Sequence, residues 1–336
     1  MMTFEDRARA LEPFGFTPRQ ARFLATVALH SGYCLRRQYV AFAGVRYGKN
    51  VRDFLDALVD RQLAERFSVR ADRGHVYHLN SRTLYRAIGQ TDNRNRRDAS
   101  AALMARRVMV LDFVLAHGDV EWLATEADKL DLFADRFGVP RHDLPRRVYA
   151  SSRPDVEPTT RFFPHKLPIV VVGDPPVAQF VYLAAEHVGG GFDAFLQDHA
   201  GLFGRLSAWT VVAVGPPGLP ALASCEAAFE QFLARPTVGL VLRSDDLRWY
   251  FATRKAVDGG ELARLAVTDI DRFRALRERF RGAAFDAFYA EWLTRGDAAL
   301  ADPDQMTRAP RRSVGRLVIE TLPFDYTQFG SLPGVA

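Results

Sequence analysis

Apolar residues recur every three or four positions through the first sixty or so residues of the chain, then switch to every second position. Thr17-Pro18 supplies a cap and a preset first turn, and Phe23, Leu24, Val27 and Ala28 follow at helical spacing until Ser31-Gly32. A second, shorter helix is predicted from Leu35 to Ala43, closing at Gly44. Asn50 is placed to cap a third helix, in which Val51, Phe54, Leu55, Leu58, Val59 and Leu63 form one stripe opposite Arg52, Asp53, Asp56 and Asp60. From Ala64 the period is two: residues 65–70 and 75–79 alternate around the turn Ala71-Asp72-Arg73-Gly74, which predicts a hairpin.

Three helices followed by a hairpin is the element order of a winged helix-turn-helix. In such a module the third helix meets the major groove of DNA by its N-terminal end, where backbone amides are unpaired and the helix dipole is positive. The residues at that end are Arg46, Lys49, Asn50 and Arg52. The wing offers Arg70 and Arg73, and Arg36 and Arg37 lie at the second helix. Asn50 reads either as a cap or as a base contact. The acids on the same face confine the expected contact to the first turn. The same scaffold also serves protein contacts, and the pattern alone leaves that alternative open. His75 and His78, on the second wing strand, read as structural residues rather than metal ligands.

Charge sharpens the picture. The net charge of the 336 residues is +5, but residues 1–99 hold 18 Lys and Arg against 10 Asp and Glu, leaving 27 against 30 for the rest. Concentrated positive charge suits a polyphosphate partner, because each neutralised phosphate releases counterions. With 48% hydrophobic residues the chain can build two or three cores. Cys34 and Cys225 match no metal spacing and suggest a reduced compartment. The first residues lack the basic start and apolar run of a signal peptide, and no segment has the apolar length of a membrane span, so a cytoplasmic, nucleoid-associated location is expected.

The run Gln90 to Asp98 is polar, with Arg94, Arg96 and Arg97, and reads either as a domain linker or as a strip that follows a phosphate backbone. Helices are predicted over 100–117 and 119–137. Strand-like runs follow at 147–150, at 160–163 continuing through 167–172, and at 178–183; then come a helix opened by Gly189 to Gly191 and running through Leu206, and a buried strand at 209–214. Beyond Leu219 the chain reads as mainly helical, over 221–233, 269–280 and 283–294, with 238–242 undecided between strand and helix and a late strand at 317–319. Phe273, Phe280, Phe285, Phe288, Tyr289 and Trp292 have helical spacing and suit a core, or a partner surface if exposed.

Helix, three strands, helix and strand is the core order of the PD-(D/E)xK nuclease-like fold, in which acids on the second and third strands and a lysine hold Mg²⁺ and activate water. Here the second strand offers His165 and Lys166 where the Asp is wanted, and the third, 181–187, has no acid-x-Lys. Glu126, Asp155 and Glu186 are the remaining carboxylates for a relocated site, although the prolines flanking Asp155 favour a loop. No phosphate loop, HExxH, GxSxG or CxxC pair occurs, so no catalytic residue, metal or cofactor is expected.

The element order of roughly the first 215 residues resembles that of the replication-relaxation family, winged-helix proteins of plasmids and integrative elements, and the stretches Leu11 to Leu24, Tyr85 to Gly89 and Asp92 to Arg96 look like proteins carried on bacterial mobile elements. The resemblance implies an α+β chain: a winged helix-turn-helix over 1–89, a linker at 90–99, a degenerate nuclease-like α/β domain over 100–218, and a helical C-terminal region over 219–336. It also implies double-stranded DNA as partner, possible self-association or contact with other mobile-element proteins, and a role in replication, mobilisation or transcription control.

Overall fold

The computed structural model describes residues 2–68, 74–149, 159–184, 191–234, 245–260, 266–280, 283–301 and 313–329. It is a mixed α+β chain. Helix α1 (Phe4–Arg9) leads into α2 (Pro18–His30), where the Thr17 hydroxyl accepts from the Gln20 amide and the Gln20 side chain accepts from the Thr17 amide. Strand β1 (Tyr33–Leu35) follows, then α3 (Arg36–Ala43), closed by Gly44 in the left-handed conformation, and α4 (Lys49–Asp60). Strands β2 (Ala64–Ser68) and β3 (His75–Leu79) complete an antiparallel sheet of order β1-β3-β2, and α5 (Arg82–Ala87) closes the unit. The stripe of α4 packs as its spacing requires, with Val51, Phe54, Leu55 and Leu58 buried against Phe16, Phe23 and Leu24.

Two local features depart from the sequence pattern. Strand β1 has three residues, all buried, so it carries no alternation to read. The N-cap of α4 is Gly48, which makes no side-chain cap, and Asn50 stands inside the first turn instead of capping it.

Helix α6 (Ala101–Ala116) is capped by the Ser100 hydroxyl and is buried on nearly every side, because it lies between two sheets. One flank covers Tyr33, Leu35 and Val76 of the first sheet. The other covers Val170, Val181, Leu183, Val212 and Val214 of a second, four-stranded sheet. That sheet contains β6 (Ile169–Val172), β7 (Val177–Leu183), β8 (Ala208–Gly215) and β9 (Val314–Thr321), in that order. The β6–β7 pair is antiparallel, while β7–β8 and β8–β9 are parallel. Helix α8 (Gly191–Arg205) makes the β7-to-β8 crossover and, with α9 (Pro220–Ala234), buries the face opposite α6 around Phe180, Phe203 and Trp209. The fourth strand therefore comes from the segment read as a mainly helical C-terminal region.

The helix predicted over 119–137 starts only at Glu126: α7 (Glu126–Leu130) is capped by Thr125 and continues in a wider turn over Asp131–Arg136. Leu123 is instead held extended, exchanging backbone hydrogen bonds with Ile169. The run read as one strand from 160 to 172 is two. Strand β5 (Thr159–Phe162) pairs with β4 (Arg146–Tyr149), and Phe163 and Lys166, at φ of 48° and 55°, turn the chain before β6 begins. Helices α10 (Asp245–Asp258), α11 (Val267–Arg279) and α12 (Ala283–Arg295) form a further core, in which Phe273, Phe280, Phe285, Phe288 and Tyr289 pack on Tyr250 and Phe251. The aromatic series is thus mostly interior, Trp292 packing at its edge. Residues 238–242 lie outside the described residues. Among those described, no helix is long and apolar enough to cross a membrane.

The two sheet units are tied together by polar contacts as well as by α6. Gln38 is buried and donates to the Val108 carbonyl at 3.0 Å. Arg7 grips Asp128 with two hydrogen bonds of 3.1 and 2.9 Å, both side chains nearly buried. The run 90–98 is strapped down: the Asn95 side chain donates to the carbonyls of Ala28 and Leu29, its own carbonyl meets the His78 ring, and Arg107 donates to the carbonyls of residues 94, 95 and 97. Gly32 permits that approach. It sits at φ +78°, and a Cβ there would lie 2.2 Å from the Asn95 carbonyl oxygen.

Candidate nucleic-acid interface

The start of α3, the turn between α3 and α4 and the first turn of α4 bring Arg36, Arg46, Lys49, Asn50 and Arg52 to the surface, every one exposed. With no side chain capping α4, its first amides are open to an acceptor from outside. Arg36 is held in place: its guanidinium lies 4.1 Å from the Tyr47 ring centre and donates to the Tyr47 hydroxyl at 3.0 Å. Tyr47, itself 47% exposed, is a positioning residue the sequence pattern does not single out. The acids further along α4 are partly neutralised within the unit. Lys49 pairs with Asp53 at 2.6 Å and Arg66 with Asp56 at 3.3 Å, all four exposed, and such pairs exchange readily with other partners.

Arg37 faces inward. It donates to both Asp112 oxygens, at 2.6 and 2.7 Å, and lies over the Phe324 ring, so it belongs to the contact between the sheet units and not to the surface group. Arg70 and Arg73 lie outside the described residues. His78 is fully buried and stacked on Tyr33 at 4.1 Å, a packing role.

A second polar cluster surrounds the chain segment that joins β5 to β6. The His165 ring meets Asp198 of α8 at 2.9 Å. Burial raises the Asp198 carboxyl, but the His165 hydrogen bond and the charges of His165, His199 and Arg147 outweigh it and hold the group below its ordinary value. Lys129 is buried, donates to the Leu167 carbonyl at 2.7 Å, and burial brings its ammonium down to about 7. His199 donates through Nδ1 to the Phe195 carbonyl, and burial brings it down to about 3. Lys129, His165 and His199, with Phe163, Lys166, Phe180 and Phe195, line a small cleft.

The carboxylates considered for a relocated metal site do not assemble here. Glu126 accepts from the Phe162 amide at 2.9 Å and stands 3.8 Å from Arg161, while Asp155 and Glu186 lie outside the described residues. Among the described residues no three His, Cys, Asp or Glu side chains are grouped as metal ligands. Cys34 and Cys225 are both buried, and burial pushes their thiols up to about 12 and about 11, leaving them unreactive. Comparison with protein-family models, curated proteins and solved structures finds no match for this chain.

Proposed function

We propose that the protein is a non-enzymatic double-stranded DNA-binding protein, in which residues 2–89 act as a winged helix-turn-helix. The observation that carries this reading is the sheet order β1-β3-β2 with α3 and α4 inserted between β1 and β2, the arrangement by which that module projects its third helix. The start of α4, with no side-chain cap and with Lys49 and Arg52 in its first turn, supports it, as does the concentration of positive charge in the first 99 residues. Contact runs through Arg36, Arg46, Lys49, Asn50 and Arg52, with Arg70 and Arg73 as wing residues. Arg37 is left out because Asp112 holds it.

The second unit is read as a nuclease-like sheet that has become a scaffold; His165, expected on its second strand, lies instead in the turn between β5 and β6 and pairs with Asp198 of α8, and β4 pairs with β5 outside the sheet. It would bind without cutting. The resemblance noted in the sequence suggests work on plasmid or integrative-element DNA, in replication, mobilisation or transcription control.

Combined Arg46→Ala, Lys49→Ala and Arg52→Ala substitutions, all on exposed side chains, test this assignment. Loss of roughly three phosphate contacts lowers duplex affinity by about tenfold or more at moderate salt. Unchanged affinity would remove α4 from the interface.

A further inference from the structure

Strands β4 and β5 form a two-stranded ribbon, separate from both larger sheets, whose described residues are exposed except for Phe162 at the end of β5, which packs on the second core. Arg146, Arg147, Val148, Tyr149, Thr159, Thr160 and Arg161 are all exposed, Val148 at 61% and Tyr149 at 47%. A ribbon this short gains little stability by itself, and Phe162 anchors it to the second core.

Its register adds a second oddity. Arg147 and Arg161 are directly opposed across the strands, an arrangement of like charges that destabilises a sheet. Their acidic neighbours are already engaged. Arg147 is 4.0 Å from Asp198, which is bonded to His165 at 2.9 Å, and Arg161 is 3.8 Å from Glu126, which accepts the Phe162 amide. Both guanidinium side chains remain more than half exposed, at 52% and 58%.

The positive charge continues beyond the ribbon. Lys166 is exposed at the rim of the cleft. Partial desolvation and the charges of Arg94, Arg107 and Arg161, opposed by Glu126, push its ammonium below the ordinary value. A crowd of cations this poorly matched by acids gains most from a ligand that carries closely spaced negative charges.

We infer that the β4–β5 ribbon and the basic rim at its base form a second contact for duplex DNA: the exposed strands enter a groove while Arg147, Arg161 and Lys166 hold the flanking phosphates. The major groove admits a two-stranded ribbon, which fits an element this exposed. This contact shares no residue with the α4 interface and stands or falls apart from it.

The test uses the full chain and a fluorescein-labelled random-sequence duplex in a salt series. Arg147→Ala with Arg161→Ala should weaken binding at least tenfold and flatten the log-affinity against log-salt line by about 2, the release expected for two phosphates. Arg147→Lys with Arg161→Lys should restore most of the affinity, since the contact is to backbone charge. Binding by the alanine pair within twofold of the unsubstituted chain overturns the inference. So does an equal loss in the lysine pair, which would mark the arginines as structural supports for Asp198 and Glu126. A loss confined to the alanine pair, with the α4 triple variant unaffected, would sustain this contact while removing the winged-helix assignment; the reverse would do the opposite. No binding by the unsubstituted chain contradicts both.

Discussion

Arg37 of α3 and Asp112 of α6, far apart in sequence, meet in a two-pronged ion pair of 2.6 and 2.7 Å, and the Tyr326 hydroxyl donates to the same carboxylate at 2.7 Å. The Asp112 side chain is 7% exposed. One acid thereby joins the helical unit, the central helix and the segment after β9. The first unit is not a bead on a string but is built onto the second sheet.

Arg37→Ala strands a buried carboxylate. The expected cost is about 2 to 3 kcal/mol, below the range for a fully buried pair because the guanidinium is 31% exposed. Thermal unfolding reads it as a lowered midpoint. Duplex affinity at a temperature where the variant is folded should be unchanged, and a selective loss of binding would return Arg37 to the interface.

Gly32→Ala forces a left-handed φ on alanine and drives its Cβ into the Asn95 carbonyl. A loss of at least about 2 kcal/mol is expected from strain and displacement together. Because the strap at 90–98 must lift, limited trypsin digestion should cut at Arg94, Arg96 and Arg97 well before it does in the unsubstituted chain. Equal digestion rates would contradict the close approach.

Lys129 sets a pH dependence whose sign follows from its burial. The ammonium titrates near 10.5 when unfolded and near 7 when folded, so between those values the unfolded chain holds the extra proton and stability rises with pH. Below about 7 the full cost of burying the charge remains. Lys129→Met, which keeps the volume, should therefore stabilise the protein more at pH 6 than at pH 9, by about 3 kcal/mol, since about 1.4 kcal/mol accrues per pH unit between 7 and 9. Denaturant unfolding at the two pH values reads the difference; equal gains would mean that the lysine is solvated when folded.

His199 acts with the same sign at acid pH. Its ring stays neutral in the fold down to about 3 but protonates near 6.5 when unfolded, so stability falls as pH drops from 6.5 towards 3. His199→Leu should flatten that decline in an unfolding series. An unchanged slope would place the acid sensitivity elsewhere.

Local signals in the sequence go far. Thr17-Pro18, Gly44 and the apolar stripe from Val51 to Leu58 set the ends and facing of α2, α3 and α4 because caps and spacing act within a few residues. Strand β1 is hidden because three buried residues show no period, and the start of α7 because Leu123 is drawn into a bridge with Ile169. The surface group at α4 was legible from charge and spacing. What Arg37 does was not, since its partner belongs to another helix and only tertiary packing brings them together. The same holds for His165, whose carboxylate comes from α8, and for the opposed Arg147 and Arg161, whose register exists only once the strands pair.

The most direct measurement is equilibrium binding of the full chain to a duplex across a salt series. The surface basic group of α3 and α4 predicts binding that falls steeply with salt, at about 0.9 in log–log slope for each phosphate held, and a shallower slope by about 3 in the Arg46, Lys49 and Arg52 alanine variant. No binding at the lowest salt, or affinity indifferent to salt, would contradict the account.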